Sequence, residues 1–315
     1  RAGGAASSSA ASLLFDTPPI ATDAVRWESL PRLRRDSSDP YAGWLQTVTV
    51  ADAEKRIAQL AQAPGRSAEI EIETGYAGLE AGQIAEVVGA VNRMLTADPW
   101  EWRAVWMSGL AALARDDSPS AQSAFNAVYG QVPGELAPKL GLAYACERSN
   151  EVDIAESLYT TCARTDAAYV PTAAFGLARL RAGRQDIDAA ASALDLVPES
   201  SRAYPAAQQE AAHLLATHSR DIADLSRAMT IVDRAAFAPR QRAQLAVTIY
   251  RNGLAAVAVE KAPSGVVIGG QQATATGLRR GLEQSLRDLA KASDNASERV
   301  ALVDEANAVR PWSLR

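Results

Sequence analysis

Apolar residues recur three and four apart through residues 68–200, the spacing of one helix face, and the helices so marked repeat. Gly109, Ala143 and Ala178 form a series of small residues. Ala121, Ala155 and Ala190 form a second series, and Phe125, Tyr159 and Leu194 a third of large apolar ones. Each series advances by 34 residues and then by 35. One step back from Ala121 and Phe125 lies Val87 and Val91, in another apolar, helix-compatible stretch. The pattern predicts pairs of antiparallel helices beginning near Ala68, Trp102, Leu136 and Pro171. Small residues let the two helices of a pair approach, and the large residue fills the gap beside them. One pair cannot bury its apolar face alone, so pairs stack.

A period near 34, with a small residue at repeat position 8, alanine at 20 and a large apolar residue at 24, is the signature of tetratricopeptide (TPR) repeats. Repeat two fits throughout, with Gly109, Ala121, Phe125 and Pro133 in place; repeat one fits poorly, with Gly75 and Val87 at its small positions. The register assigns Ser67–Glu73 to a helix, although Ile70 and Ile72 alternate there as in a strand. Asp98-Pro99 is expected to open the next helix as N-cap and first residue. Gly183-Arg184 is expected to turn repeat four. Beyond residue 200 the period fades but helical texture continues over Ala203–His218, Asp221–Ala235 and Pro239–Glu260. A Gly-rich loop, Pro263–Thr274, leads to a closing helical hairpin, Ala275–Ala292 and Ser297–Val309, read as a cap. The expected fold is all-α: a right-handed TPR-type helical-hairpin solenoid with a C-terminal helical cap. Residues 1–22 read as a flexible leader, 23–65 as a linker with short helices, 66–200 as four repeats and 201–315 as extension and cap. Thr22 is where a short helix is expected to begin.

Composition supports this. Alanine is the commonest residue and aromatics are 6%, which favours close helix packing over a sheet core. A net charge of −5 gives no basic character for nucleic acid or anionic membrane. No apolar run reaches the roughly 18 residues of a membrane span. The chain starts at Arg1 rather than Met, with a Gly/Ala/Ser-rich start that lacks a signal-peptide core, so it reads as a piece of something longer. Cys146 and Cys162 read as buried small residues in a reducing cytoplasm, although sequence leaves a disulfide open. With His213 and His218 they match no metal-site spacing. Gly265, Gly269 and Gly270 lack the Lys and Ser/Thr of a phosphate loop, and no catalytic motif is present; no cofactor is expected. Arg32, Arg34 and Arg35 read as a solvated linker or as a contact for an acidic surface.

Positions 2, 5, 9 and 12 of each repeat's first helix usually line the concave face of a TPR array. They are Arg103, Trp106, Leu110 and Leu113 in repeat two, Ala137, Leu140, Tyr144 and Glu147 in repeat three, and Thr172, Phe175, Arg179 and Ala182 in repeat four. Arg103, Trp106, Leu110, Leu140, Tyr144, Phe175 and Arg179 are therefore the candidate partner-binding residues. The expectation is an apolar groove for a helix or an extended segment, open to a partner or filled by the chain's own linker or C-terminal helices.

Several stretches together resemble one family. They are Trp100-Glu101-Trp102 with Trp106, Pro133 through Leu140, Ala173 through Arg179, Val197-Pro198 with Ser201-Arg202, Gly277 through Gly281 with Ser285 to Arg287, and Leu302 to Asp304 with Ala306-Asn307 and Val309 to Pro311. In order, over about residues 65–311, they resemble the C-terminal TPR region of the actinobacterial serine/threonine protein kinase G (PknG) family. Leu30–Gln62 more weakly resembles that family's linker between kinase and repeats. The resemblance implies a parent with a rubredoxin-like metal domain and a kinase domain ahead of the repeats. No position here matches their catalytic or metal residues, so none carries over. It implies a cytoplasmic, non-catalytic region that supports the kinase, self-associates as a homodimer, or holds substrates such as small forkhead-associated-domain regulators. A stand-alone TPR adaptor that binds a peptide in the groove is the alternative.

Overall fold

The computed structural model describes residues 12, 14–19, 25–260, 262–263 and 265–311. The leader before Ser12 and the expected helix start at Thr22 lie outside the described residues. Two compact units divide the chain, Arg1–Gly176 and Leu177–Arg315.

The N-terminal unit holds α1 (Ala42–Leu45), α2 (Ala53–Leu60), α3 (Ala68–Glu80), α4 (Ile84–Ala97), α5 (Trp102–Ala114), α6 (Ser118–Gln131), α7 (Ala137–Arg148) and α8 (Val152–Thr165). It also holds the first half of α9 (Val170–Gly183). From α3 to α8 each helix packs on the next, and α5 also packs on α3 and α7. The fold is all-α and of TPR helical-hairpin type. Ile70 and Ile72 are on a helix, as the register requires, and both are buried.

Four turns repeat the same backbone. Gly82, Asp116, Asn150 and Gln185 have φ of 68°, 61°, 60° and 64°. The following amides bond back to Gly78, Ala112, Cys146 and Arg181 carbonyls at 2.8–3.0 Å. This left-handed closure satisfies carbonyls that a helix end leaves orphaned. In repeat four the turn is Arg184-Gln185, one residue beyond the expected Gly183-Arg184 pair, with Gln185 in the left-handed conformation. Glycine has no privilege here, because a polar residue tolerates the conformation when the closing bonds form. Asp98-Pro99 also departs from expectation. It forms a turn, in which the Asp98 carboxylate takes the Trp100 amide, and Glu101 caps α5.

Packing explains the third series. The Phe125 ring lies against the backbones of Gly109 and Gly141, so a Cβ would meet it at 2.6 Å and 2.9 Å. Tyr159 lies against Gly176 in the same way, at 2.5 Å. A position-24 aromatic is thus wedged between its own repeat and the next. Repeat one has the smaller Val91 at position 24, and its Gly75 faces Met107 from the next repeat instead. Gly141→Ala is expected to cost about 1 kcal/mol: overpacking outweighs alanine's better helix propensity. The loss should shrink in a Phe125→Leu background, and a double-mutant cycle by urea denaturation reads the coupling. Additive losses would sink the wedge.

The C-terminal unit continues with the rest of α9, α10 (Ile187–Leu194), α11 (Tyr204–His218), α12 (Ile222–Arg234), α13 (Pro239–Val259), α14 (Ala275–Lys291) and α15 (Ala296–Val309). Its loop contains an antiparallel ladder of two residue pairs, Val267 with Gln272 and Ile268 with Gln271. Gly269 and Gly270 supply the two positive φ angles that such a tight turn needs. Gly269 and Gly281 both close on Tyr250, whose hydroxyl donates to the Ile268 carbonyl at 3.2 Å. These glycines serve packing.

Candidate functional site

Trp106 leaves α5 and is fully buried. Its ring meets Phe125 at 5.1 Å and Phe15 at 4.9 Å and 68°. Phe15 also touches Trp102, at 5.6 Å between centroids. The residue seated on the candidate face is therefore from the chain's own leader.

Backbone pairing sets the leader in place. Phe15 bridges Leu33 antiparallel, with the Asp16 amide donating to Arg32 at 2.8 Å and the Arg34 amide to Leu14 at 2.9 Å. Ser12 donates its hydroxyl to Glu135 at 2.6 Å, and Thr172 donates to the Pro19 carbonyl at 3.0 Å. The linker is tied to α3. Leu30, Pro31 and Leu33 are buried, and the Leu33 amide donates to the Tyr76 hydroxyl at 2.9 Å. Arg32 lies 4.0 Å over the Tyr76 ring and pairs with Glu80; Arg35 pairs with Glu73 and Arg34 with Asp16. The arginine run is thus committed within the unit. Each such exposed pair adds only about 0–1 kcal/mol, so the pairs fix register more than stability.

Arg103 is committed too. It donates to Glu69 at 2.9 Å and to Glu101 at 2.6 Å, so its guanidinium is held protonated. Burial pushes the Glu69 carboxyl up, against the Asp36 amide and Arg103, which pull it down. Leu110, Leu140, Tyr144 and Phe175 are all buried, at 2% exposure or less. Tyr144 stacks edge-on with Tyr159 at 6.1 Å. Arg179 is half-buried on the part of α9 in the C-terminal unit. Among the candidate residues of the N-terminal unit, Trp106 is thus covered by Phe15, Arg103 is ion-paired, and Leu110, Leu140, Tyr144 and Phe175 are buried. Sequence reading missed Phe15, Tyr76 and Tyr169; the available signal was a lone apolar triplet, residues 13–15, ahead of Thr17-Pro18-Pro19.

Burial pushes the Tyr76 phenol up to about 12 from 10.0, with the hydrogen bond from the Leu33 amide opposing the rise. The native unit holds this proton more tightly than the unfolded chain does. Its contribution is whole below about pH 10 and is lost as pH rises towards 12. Tyr76→Phe should remove that alkaline loss, on the order of 2 kcal/mol, and cost about 1 kcal/mol at pH 7 for the Leu33 amide. Urea denaturation of both chains at neutral and strongly alkaline pH checks this; parallel profiles would refute it.

Both cysteines are free buried thiols, with burial pushing Cys146 to about 11 and Cys162 to about 12. A thiol so placed is a poor nucleophile. Among the described residues no cluster of three or more His, Cys, Asp or Glu could hold a metal ion, and no helix is long and apolar enough to cross a membrane.

A family model described as protein kinase G tetratricopeptide repeat matches residues 22–313. The serine/threonine-protein kinase PknG of Mycolicibacterium smegmatis is 33% identical over 257 residues, covering 78% of this chain and 33% of that protein. PknG of Mycobacterium leprae is 33% identical over 256 residues, covering 78% and 32%. This chain spans about a third of the length of these relatives. Among solved structures, a TPR repeats protein from Bacteroides fragilis aligns with a TM-score of 0.32 and 13% identity, over 78% of this chain and 99% of that one.

Proposed function

The chain belongs to the protein kinase G tetratricopeptide-repeat family, and from that membership we propose that it is the non-catalytic protein-interaction region of a PknG-like serine/threonine kinase. Its first task on this reading is to support the kinase domain, in the cytoplasm. The observation that carries the proposal is the strap. Residues 14–19 and 30–35 lie along the N-terminal unit, anchored through Phe15 and Leu33. A kinase domain joined ahead of such a strap would be held close to the repeats, with little freedom to move away. The TPR face would then serve the parent polypeptide before any outside partner. Self-association and the docking of a forkhead-associated-domain substrate are further roles for the same region.

The test mixes the purified chain with the kinase portion of the M. smegmatis relative. Light scattering is expected to show a one-to-one complex, and the kinase portion is expected to melt at a higher temperature in it. An unshifted mass together with an unchanged melting temperature would sink kinase support. A dimer mass that mixing leaves alone would point to self-association instead.

A further inference from the structure

The strap is held unevenly. The linker half has three buried side chains, a buried hydrogen bond to Tyr76, and ion pairs from Arg32 and Arg35. The leader half, over residues 14–19, buries only Phe15 and Pro18 and is otherwise held by two backbone hydrogen bonds, the Thr172 bond to Pro19 and the exposed Arg34–Asp16 pair. Two buried side chains, three residues apart on extended backbone with exposed residues between, is how a short linear segment docks. Local opening begins where buried apolar contacts are few, so the leader half should open ahead of the linker half. Opening would uncover Trp102 and Trp106 and leave the backbone edge at Arg32–Arg34 ready to pair again.

The fit of the leader is also incomplete. Beside it is a crevice of about 150 Å³, lined by Ser12, Phe15, Thr17, Arg34 and Tyr169 among others. Tyr169 is 3% exposed, and its hydroxyl has no hydrogen-bond partner among the described residues. Burial raises its pKa, so it stays protonated, a donor that makes no hydrogen bond although Asp16 and Thr17 of the leader line the same crevice. A buried donor left so is costly, and a segment that supplies an acceptor removes that cost.

We propose that the Phe15–Pro18 seat is an exchange site, taken in the leader's place by a partner's extended segment with an aromatic residue, a proline three positions on, and an acceptor side chain that reaches Tyr169. The partner strand pairs with Arg32–Arg34 as the leader does, and the aromatic ring packs on Trp102 and Trp106. The inference rests on the interaction-region reading and names a seat and a segment chemistry for it.

The probe is the capped peptide Ser-Leu-Leu-Phe-Asp-Thr-Pro-Pro, titrated by calorimetry into the full chain carrying Phe15→Ala. It is expected to bind that chain, to bind the unaltered chain at least tenfold more weakly because the seat is filled, and to lose binding when its own Phe is replaced by Ala. Glutamine in place of the peptide's Thr is expected to tighten binding several-fold, and Tyr169→Phe in the chain to abolish that gain. No binding to the Phe15→Ala chain, or equal binding to both chains, would overturn the exchange site. A gain that survives Tyr169→Phe would overturn the acceptor. Should Phe15→Ala fail to fold, hydrogen exchange on the unaltered chain decides. The Asp16 amide is expected to exchange at least tenfold faster than the Leu33 amide, whereas exchange only through unfolding of the whole unit would overturn the proposal. The complex with a kinase portion needs no exchange, so failure here leaves that measurement standing.

Discussion

Trp106→Ala is expected to lower the unfolding free energy of the N-terminal unit by about 3–5 kcal/mol. The indole is fully buried and touches both Phe15 and Phe125. Truncation loses its transfer free energy, loses two aromatic contacts of about 0.5–1.5 kcal/mol each, and leaves a cavity. The cavity cannot close easily, because Phe125 is wedged against Gly109 and Gly141. The experiment also separates two pictures of the face. A tryptophan lining an open groove would be lost at little cost to stability and large cost to binding. A tryptophan beneath a strap must cost stability and loosen the strap together. Denaturation followed by hydrogen exchange reads both, unit by unit, since one transition cannot be assumed for a chain of two units. Faster exchange at the Asp16 amide, with α13 amides unchanged, is the expected signature. An unchanged melting temperature would remove Trp106 from the core.

The fold was legible because close packing writes itself into residue size. Gly109, Ala121 and Phe125, and their counterparts one repeat on, place the starts of α5 and α7 within a residue of where they lie. Helix starts and turns were less legible, because the same polar residues serve several purposes. Asp98 before a proline reads as a cap, yet Glu101, three residues on, does the capping. Gly183 reads as the helix stop, but α9 runs to it and Gln185 adopts the left-handed turn. Gly141 and Gly176 lie mid-helix, where glycine argues against a helix. Only the rings of Phe125 and Tyr159 in three dimensions explain them.

The site was less legible for a different reason. The face residues could be named from repeat position, but what covers Trp106 comes from more than 80 residues away in sequence, at Phe15. No periodicity links the two. The leader around Phe15 is short and follows low-complexity sequence, so one aromatic there carries little statistical weight. The arginine run was legible only in part: its three arginines are exposed, as a solvated run would be. Charge alone suggests solvent or an acidic partner, whereas Glu73, Glu80 and Asp16 of the same unit take the three guanidiniums.

Ala121→Trp should destabilise the N-terminal unit by about 3 kcal/mol, which tests the repeat register more sharply than truncation does. Ala121 is at position 20 of repeat two on α6, with 0% exposure, and α6 packs on both α5 and α7. An indole at so buried a position between two helices overpacks the contact, so the pair is expected to part. The same change on the same helix at Ala127, which is exposed, is the control. It has the same helix-propensity change and should move stability by no more than about 0.5 kcal/mol. The contrast between the two isolates packing from propensity. Parting of α5 from α6 would also free Phe125 from Gly109 and so loosen the seat under Trp106 and Phe15. Weaker protection of the Asp16 amide is therefore expected in the Ala121 variant and not in the Ala127 variant. Equal stability of the two variants would mean that position 20 is not the helix contact, and the stacking inferred from the three residue series would fall with it.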